Sequence, residues 1–183
     1  MLGIEAIAVH IPPGRASNLD LRDTFDVDEA FLVDKIGVLE RAVKAPEDNT
    51  SDLALAALEN LIEQQGLSRG EIEALVVVTQ NPDSNLPQVS ALVHGRAGLS
   101  PTCAAFDLSL GCSGYAYGVS VLQSFLAGNG LSRGVLIQSS QLKPALHEML
   151  LDCGRISHRN TLIPKDIYHV DLNTRLFLSG SLA

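Results

Sequence analysis

The chain has 183 residues, 46% of them hydrophobic and 19% charged, which suits one globular domain with a sizeable core and excludes disorder as the default interpretation. Its formal net charge of −8 at pH 7 argues against nucleic acid as a partner, because such binding needs a basic face that neutralises phosphates. The N-terminus has no cationic region or small-residue cleavage site, and no stretch approaches the roughly 18 apolar residues of a membrane span. We therefore expect a cytoplasmic protein with no membrane partner.

The first half of the chain shows one strand pattern and three helical patterns. Alternating apolar residues predict a strand over residues 4–11, which ends at two prolines and a glycine. Two short helical patterns lie within residues 18–35, with Asn18 and Asp28 as N-caps. An amphipathic helix begins at Thr50 or Ser51 and reaches residue 65, where Gly66 ends it.

The second half alternates strands and helices. Residues 74–79 form a β-branched run typical of a strand buried on both faces, and a polar loop over residues 80–85 follows it. Pro87 is expected in the first turn of a helix that reaches about residue 97. A further strand over 103–110, a nearly charge-free helix that stops near Gly128 and a strand over 134–138 complete the pattern. This alternation predicts a layered α/β domain with a mixed sheet.

The sequence changes character near residue 140. The segment from residue 141 onward is polar and basic for this chain, and its elements cannot be assigned from pattern, although a helix could begin after Pro144. We therefore divide the chain into a domain over residues 1–140 and a divergent tail over residues 141–183.

Three cysteines, without close CxxC spacing, support neither a disulfide framework nor a metal site. Cys112 stands between a strand and an apolar helix and is flanked by Gly111 and Gly114. Amide N–H groups at a helix N-terminus favour a thiolate there, and a buried helix would direct the thiol into a protected tunnel, as acyl transfer requires. A lone cysteine is also often an inert core residue. Cys103, inside an apolar strand, and Cys153, in the unassigned tail, are weaker candidates for a nucleophile than Cys112.

Collinear motifs resemble the type III ketoacyl-acyl carrier protein synthases. The stretch AAFDLSLGCSGYAYGVSVLQSFLAG is similar to the nucleophile segment of that family, and VVVTQNPDSNLPQVSALVHGRAGL to the strand, loop and helix that precede it. Further upstream, DEAFLVDKIGVLERAV and TSDLALAALENL are similar to its coenzyme A-contacting segment and first long helix. The resemblance covers residues 3–139 and implies an α/β, thiolase-like fold: the N-terminal half, with a layered mixed β-sheet and a buried central helix.

The resemblance also implies roles for particular residues. Cys112 would carry the acyl group taken from acyl-coenzyme A, with its backbone N–H as one oxyanion donor. Phe31 stands where many members have a tryptophan that packs on the adenine of coenzyme A, and Lys35 where an arginine is common. Leu86 stands where a residue reaches across a dimer interface into the neighbouring acyl pocket. Core packing, a solvated charge and loop packing are the respective structural alternatives for Phe31, Lys35 and Leu86.

In the family, condensation with malonyl-acyl carrier protein needs a histidine and an asparagine from the second half of the fold. None of the five histidines of this chain lies in a matching motif, and His94 is interpreted as a helix-surface or core residue. The C-terminal stretch that contains Arg175 offers only a weak match to a coenzyme-binding segment. The resemblance implies no bound cofactor or metal, since acyl-coenzyme A is the substrate, and it implies acyl carrier protein as a partner.

Three functions remain open at this stage. The leading one is an acyltransferase of fatty-acid or related biosynthesis that acts as a homodimer or with a complementary second subunit. The second is a non-catalytic interaction subunit, or a degenerate or truncated fragment, which the missing histidine and asparagine favour. The third is a thioesterase-like cysteine hydrolase, which would need a histidine base within the chain.

Overall fold

The computed structural model describes the chain over residues 3–139 and 174–179, where it forms two compact units. The first unit comprises residues 3–11, 47–139 and 174–179, and the second comprises residues 12–46. The regular elements of the described chain are, in order, β1 (Ile4–His10), β2 (Gly14–Ser17), α1 (Arg22–Phe25), β3 (Glu40–Val43), α2 (Thr50–Gln65), β4 (Ala74–Val78), α3 (Val89–Ala97), β5 (Ala104–Leu108), α4 (Gly114–Asn129), β6 (Gly134–Gln138) and β7 (Thr174–Ser179). Short 3-10 turns lie at Leu19–Leu21 and Arg69–Glu71, and a π-helix at Phe31–Ile36.

The first unit is built on a mixed five-stranded sheet of order β1-β7-β6-β4-β5. Strands β4, β5 and β6 are parallel, whereas β7 pairs antiparallel with both β6 and β1. The mixed α/β sheet predicted from the alternation of elements is confirmed. Strand β7 comes from the segment that sequence pattern left unassigned, so that segment contributes to the same sheet.

The two faces of this sheet carry different helices. Helices α2 and α3 pack on one face, where Leu58 and Val93 are fully buried against Leu75. Helix α4 packs on the other face, where Leu126 is fully buried in a cluster with Leu136. Because successive strand residues point to opposite faces, the apolar run of β4 supplies both cores, as its β-branched composition predicts.

Hydrogen bonds fix where α2 and α3 begin. Helix α2 begins as expected and is capped by Asn49, in a reciprocal capping box with Asp52. Helix α3 begins at Val89 rather than around Pro87, because Asp107 on β5 accepts hydrogen bonds from the Val89 and Ser90 N–H groups at 2.8 Å each. A contact between elements distant in sequence therefore fixes where α3 begins.

The second unit is smaller. Strands β2 and β3 form an antiparallel ribbon, in which Arg15 pairs with Glu40 at 3.4 Å. The two helical patterns expected between residues 18 and 35 are present. Asp28 accepts a hydrogen bond from the Phe31 N–H at 2.7 Å, as a cap does. Asn18 is the N-cap residue of the Leu19–Leu21 turn, as expected, but its side chain makes no capping hydrogen bond. Its Nδ2 donates to the Val38 carbonyl at 2.8 Å, and its Oδ1 accepts from Arg41 at 2.7 Å.

Several expectations lie outside the described residues. These concern the tail over residues 141–173, the helix after Pro144, Cys153, and the histidines His147, His158 and His169. The side chain of Arg175 is likewise not described, although its backbone belongs to β7. The domain boundary at residue 140 stays a prediction.

Candidate active site

Cys112 lies in a tight turn between β5 and α4. The turn is closed by a hydrogen bond from the Gly114 N–H to the Gly111 carbonyl at 2.8 Å, and Ser113 already has helical dihedral angles. Within the described part of the chain, the Cys112 N–H donates no backbone hydrogen bond. The Cys112 thiol is exposed to solvent. The thiol is therefore accessible, and the amide N–H is not used in a backbone hydrogen bond within the described residues.

Glycines bring α4 unusually close to the sheet. A Cβ atom on Gly118 would lie 2.8 Å from Leu136 Cδ1 and 3.1 Å from Val78 Cγ2, and one on Gly114 would collide with Val78. Only glycine allows this approach at the first two turns of the helix. The close packing fixes the start of α4, and with it Cys112, over the end of β4.

The carboxyl ends of three parallel strands meet beside this turn. Val78 on β4 is in register with Leu108 on β5 and with Gln138 on β6. Beyond the strand ends, the Thr79 N–H donates to the Leu108 carbonyl at 3.1 Å, and the Ser139 N–H to the Val78 carbonyl at 3.0 Å. Sites of open α/β sheets gather at this edge, and Cys112 is located there.

The loop between β4 and α3 is held at both ends and exposes Leu86 at its tip. The Thr50 hydroxyl donates to the Asn81 carbonyl at 2.6 Å, and the Ser51 N–H donates to Asp83 at 3.2 Å. At the other end, Asp107 holds the first turn of α3. Leu86 is 84% exposed, so the described residues do not pack around it. The structural alternative of simple loop packing therefore does not account for this side chain.

The two cysteines of the described residues differ sharply. Cys103 is buried, and this burial, with a smaller contribution from the charge of Glu73, raises the pKa of its thiol to about 11. Such a thiol is almost entirely protonated at neutral pH and is a poor nucleophile. The buried environment of Cys103 agrees with the expectation that it is a weaker nucleophile candidate than Cys112, which is accessible.

Neither histidine of the described chain is placed to act on Cys112. His10 lies on β1, at the opposite edge of the sheet from β5. His94 lies on α3, on the sheet face opposite α4, and its Nε2 is 2.9 Å from the Ser100 carbonyl. His94 thus has the structural role expected for it.

The expected burial of α4 and of the thiol is only partly met. Gly118, Leu122 and Leu126 are buried against the sheet, but the outer face of the helix is open, with Tyr117 60% and Val121 37% exposed. None of the described residues covers this face, so the expectation of a thiol at the end of a tunnel stays a prediction.

Phe31 and Lys35 lie together on the π-helix of the second unit. Phe31 is partly buried and Lys35 is exposed. Cys112 and Leu86 belong to the first unit, so the four predicted site residues are divided between the two units.

Sequence reasoning missed three side chains near the turn. They are Asp107, which holds α3, and Gln80 and Gln138, which contact Gly111. A signal was available for the glutamines, since both are polar residues at the carboxyl end of an apolar strand. In the described residues, no group of three or more His, Cys, Asp or Glu side chains could hold a metal ion. No described helix has the length and apolar character needed to cross a membrane.

The chain is similar in sequence to known proteins. No protein-family model matches the sequence. The chain is 33% identical over 135 residues to beta-ketoacyl-acyl carrier protein synthase III of Caldanaerobacter subterraneus, which covers 74% of this chain and 40% of that protein. The synthase III of Thiobacillus denitrificans is 33% identical over 132 residues, which is 72% of this chain and 41% of that protein. The chain thus spans about two fifths of the length of these curated relatives.

Solved structures agree on the fold. The synthase III of Thermus thermophilus superposes with a TM-score of 0.76 at 24% identity, over 99% of this chain and 52% of that chain. The synthase III of Aquifex aeolicus gives a TM-score of 0.77 at 18% identity, over 100% of this chain and 54% of that chain. The thiolase-like α/β fold is therefore confirmed. The chain belongs to the beta-ketoacyl-acyl carrier protein synthase III family and corresponds to the N-terminal half of those proteins.

Proposed function

We propose that this chain is the acyl-accepting part of a ketoacyl synthase III-type acyltransferase of fatty-acid or related biosynthesis, with Cys112 as nucleophile. The observation that carries the proposal is the turn itself, which lies at the carboxyl edge of three parallel strands. It holds an exposed thiol next to an amide N–H that has no backbone partner among the described residues. Membership of a family of enzymes supports the same function.

The first half-reaction transfers an acyl group from acyl-coenzyme A. The Cys112 thiol gives up its proton, and the sulfur attacks the thioester carbonyl carbon to form a tetrahedral oxyanion. The Cys112 N–H is the donor available to that oxygen. The bond between the carbonyl carbon and the coenzyme A sulfur then breaks, and coenzyme A takes up a proton and leaves as its thiol. Phe31 and Lys35 are proposed to bind coenzyme A, with Phe31 packing on its adenine.

The second half-reaction condenses this acyl group with malonyl-acyl carrier protein. Loss of carbon dioxide from the malonyl group gives a carbanion that attacks the acyl carbonyl carbon and forms the new carbon–carbon bond. The bond between that carbon and the Cys112 sulfur then breaks, and the released thiolate takes up a proton. In the family, a histidine and an asparagine from the second half stabilise the carbanion. Because neither described histidine lies at the Cys112 turn, we propose that further polypeptide supplies these groups.

The open face of α4 supports a partner of this kind. The helix has no charged residue over its 16 positions, and its outer side exposes Tyr117 and Val121. Surface helices normally carry charges on the solvent side, so an uncharged outer face is typical of a helix that another layer covers. We propose that a second subunit or a second copy of the chain forms that layer. Leu86 is proposed to reach into the acyl pocket of the neighbouring copy. The proposed location of the protein is the cytoplasm.

The test is intact-protein mass spectrometry after incubation with acetyl-, butyryl- and octanoyl-coenzyme A. The Cys112→Ala variant should show no adduct. The Cys103→Ala variant is the matched control and should be acylated as the wild type is, because Cys103 is buried. Absence of an adduct in a folded wild-type sample would refute autonomous acyl loading.

A second candidate function is a non-catalytic interaction subunit. The open α4 face and the absence of a described histidine beside Cys112 favour it. Titration with an added C-terminal half of the Caldanaerobacter synthase, followed by the loading and condensation assays, separates the two functions. Ketoacyl product that depends on Cys112 supports the enzyme, whereas binding without acyl transfer supports the interaction subunit.

A further inference from the structure

Two glutamine side chains reach the Cys112 turn from the carboxyl ends of adjacent strands. Gln138 is the last residue of β6 and is in register with Val78, the last residue of β4, so the two side chains lie on one face of the sheet. Val78 contacts Gly114 and Gly118, so this is the face on which α4 packs. Gln80 lies in the loop that follows β4, two residues beyond Val78.

Both glutamines meet Gly111. A Cβ atom on Gly111 would lie 2.6 Å from Gln80 Oε1 and 3.0 Å from its Cδ, so the Gln80 amide rests directly against the Gly111 Cα. The Gln138 Nε2 donates a long hydrogen bond to the Gly111 carbonyl at 3.5 Å. The same carbonyl accepts the Gly114 N–H at 2.8 Å, which is the bond that closes the turn.

The glycine packing of α4 fixes where the helix starts, but few contacts in the described residues set the direction of the Cys112 thiol and N–H. Its N–H has no backbone partner there and its thiol is exposed. The direction of both groups is therefore set by the peptide units on either side, and the Gly111 carbonyl is the fixed point of the turn. A carbonyl with two donors is held more firmly than one with a single donor, since each bond restricts its rotation.

We propose that Gln80 and Gln138 are positioning residues that hold the Gly111 peptide and so orient the thiol and N–H of Cys112, an inference that rests on the proposed acyl transfer for its functional consequence. Gln80 acts by packing against Gly111, and Gln138 acts through its hydrogen bond to the carbonyl. Neither is proposed to touch the reacting atoms.

Two measurements on three single variants test this role. Gln138→Met keeps the length of the side chain but removes the donor, Gln80→Ala removes the packed amide, and Gly111→Ala displaces that amide by adding a Cβ. Gln64→Ala, an exposed glutamine on α2, is the matched control. The first measurement is hydrogen exchange of the Gly114 amide by nuclear magnetic resonance, and the second is the rate of acyl loading from acetyl-coenzyme A.

We expect the exchange protection of the Gly114 amide to fall about threefold in each of the three variants. The rate of acyl loading should fall by a similar factor. The reason is that one neutral hydrogen bond, or one packed amide, contributes a free energy that corresponds to a factor of this size. The double variant Gln80→Ala with Gly111→Ala should be no worse than either single change, since both disturb one contact. Alkylation of Cys112 by iodoacetamide should change less than twofold, because it needs only an accessible thiol. Gln64→Ala should match the wild type.

The outcomes separate this inference from the proposed function. Unchanged Gly114 protection in both glutamine variants overturns the positioning role, whatever the loading rate. Reduced protection with an unchanged loading rate also overturns it. A third outcome is that the wild type takes no acyl group while the variants still show reduced Gly114 protection. That outcome supports the positioning of the turn and refutes the proposed function.

Discussion

Asp107 offers the sharpest test of how the site is held together. Its two carboxylate oxygens accept the Val89 and Ser90 N–H groups at 2.8 Å each, and the residue lies on β5 while the donors begin α3. An Asp107→Ala change removes both acceptors and the negative charge at the N-terminus of that helix. The change tests a contact that joins the strand before Cys112 to the helix after the Leu86 loop.

The magnitude follows from the geometry. A hydrogen bond to a charged acceptor contributes about 1.5–3 kcal/mol, and loss of a helix cap costs about 0.5–2 kcal/mol. The two bonds share one carboxylate and the site is only partly buried, so their effects do not simply add. We expect Asp107→Ala to lower the free energy of unfolding by about 2–4 kcal/mol. Asp107→Asn keeps one acceptor oxygen and should lose about half as much.

The assay is urea unfolding followed by circular dichroism. The urea midpoint should be lower in Asp107→Ala than in the wild type. The slope of the free energy of unfolding against urea concentration should stay the same, because the surface exposed on unfolding does not change. Glu63→Ala, an exposed carboxylate on α2, is the control and should stay within about 0.5 kcal/mol of wild type. An Asp107→Ala midpoint equal to that of Glu63→Ala would refute the reasoning.

Three further predictions concern the core, the thiols and the acid limit of stability. Leu126→Ala should lower the free energy of unfolding by about 2–5 kcal/mol in the same urea assay, because this fully buried leucine packs between α4 and the sheet. The control Val121→Ala, on the open face of α4, should lower it by less than about 1 kcal/mol. Peptide mapping after brief iodoacetamide treatment at pH 8 should find label at Cys112 but not at Cys103. A pKa of about 11 leaves about one Cys103 thiol in a thousand ionised at that pH. Equal labelling of the two cysteines would contradict the burial of Cys103. Hydrogen bonds from the Ser132 N–H and hydroxyl and from the Arg133 N–H hold the pKa of Glu73 below its ordinary value of 4.5. The contribution of Glu73 to the free energy of unfolding is therefore present above about pH 4.5 and is lost as the pH falls through the lower pKa of the folded state. Between pH 5 and pH 3, Glu73→Gln should lose less stability than the wild type. An identical loss of stability in the two proteins over that pH range would contradict this.

Much of the fold could be predicted because local signals and tertiary packing agree. The apolar run of β4 and the amphipathic pattern of α2 each indicate one structure, and the glycines around Cys112 mark a turn at a helix start. Those features depend on residues close together in sequence. They located the candidate nucleophile correctly at the end of a strand and the start of a helix.

What could not be predicted depends on contacts distant in sequence. The beginning of α3 is set by Asp107, which lies 18 residues beyond Val89. The Cys112 turn is contacted at Gly111 by Gln138 at the end of β6 and by Gln80 in the loop after β4. The exposure of α4 is a further case. An apolar, charge-free helix predicts burial on all sides, but the described residues cover only one side.

Strand β1 shows the same limit. Its alternation correctly predicts two unlike faces, yet pattern alone cannot say which is covered. Ala8 is buried beneath α2, whereas Ile7 on the other face is 52% exposed. Larger apolar side chains thus lie on the side that the described residues leave open, which is also the side of α4.

The central claim is that Cys112 carries the acyl group as a thioester. The most direct measurement is peptide mapping by tandem mass spectrometry after incubation with acetyl-coenzyme A, with half of each sample treated with hydroxylamine, which cleaves thioesters. The account predicts an added acetyl group on the peptide that contains Cys112, absent after hydroxylamine and absent in Cys112→Ala. Acetylation only at other residues, or no acetylation of a folded sample, would contradict it.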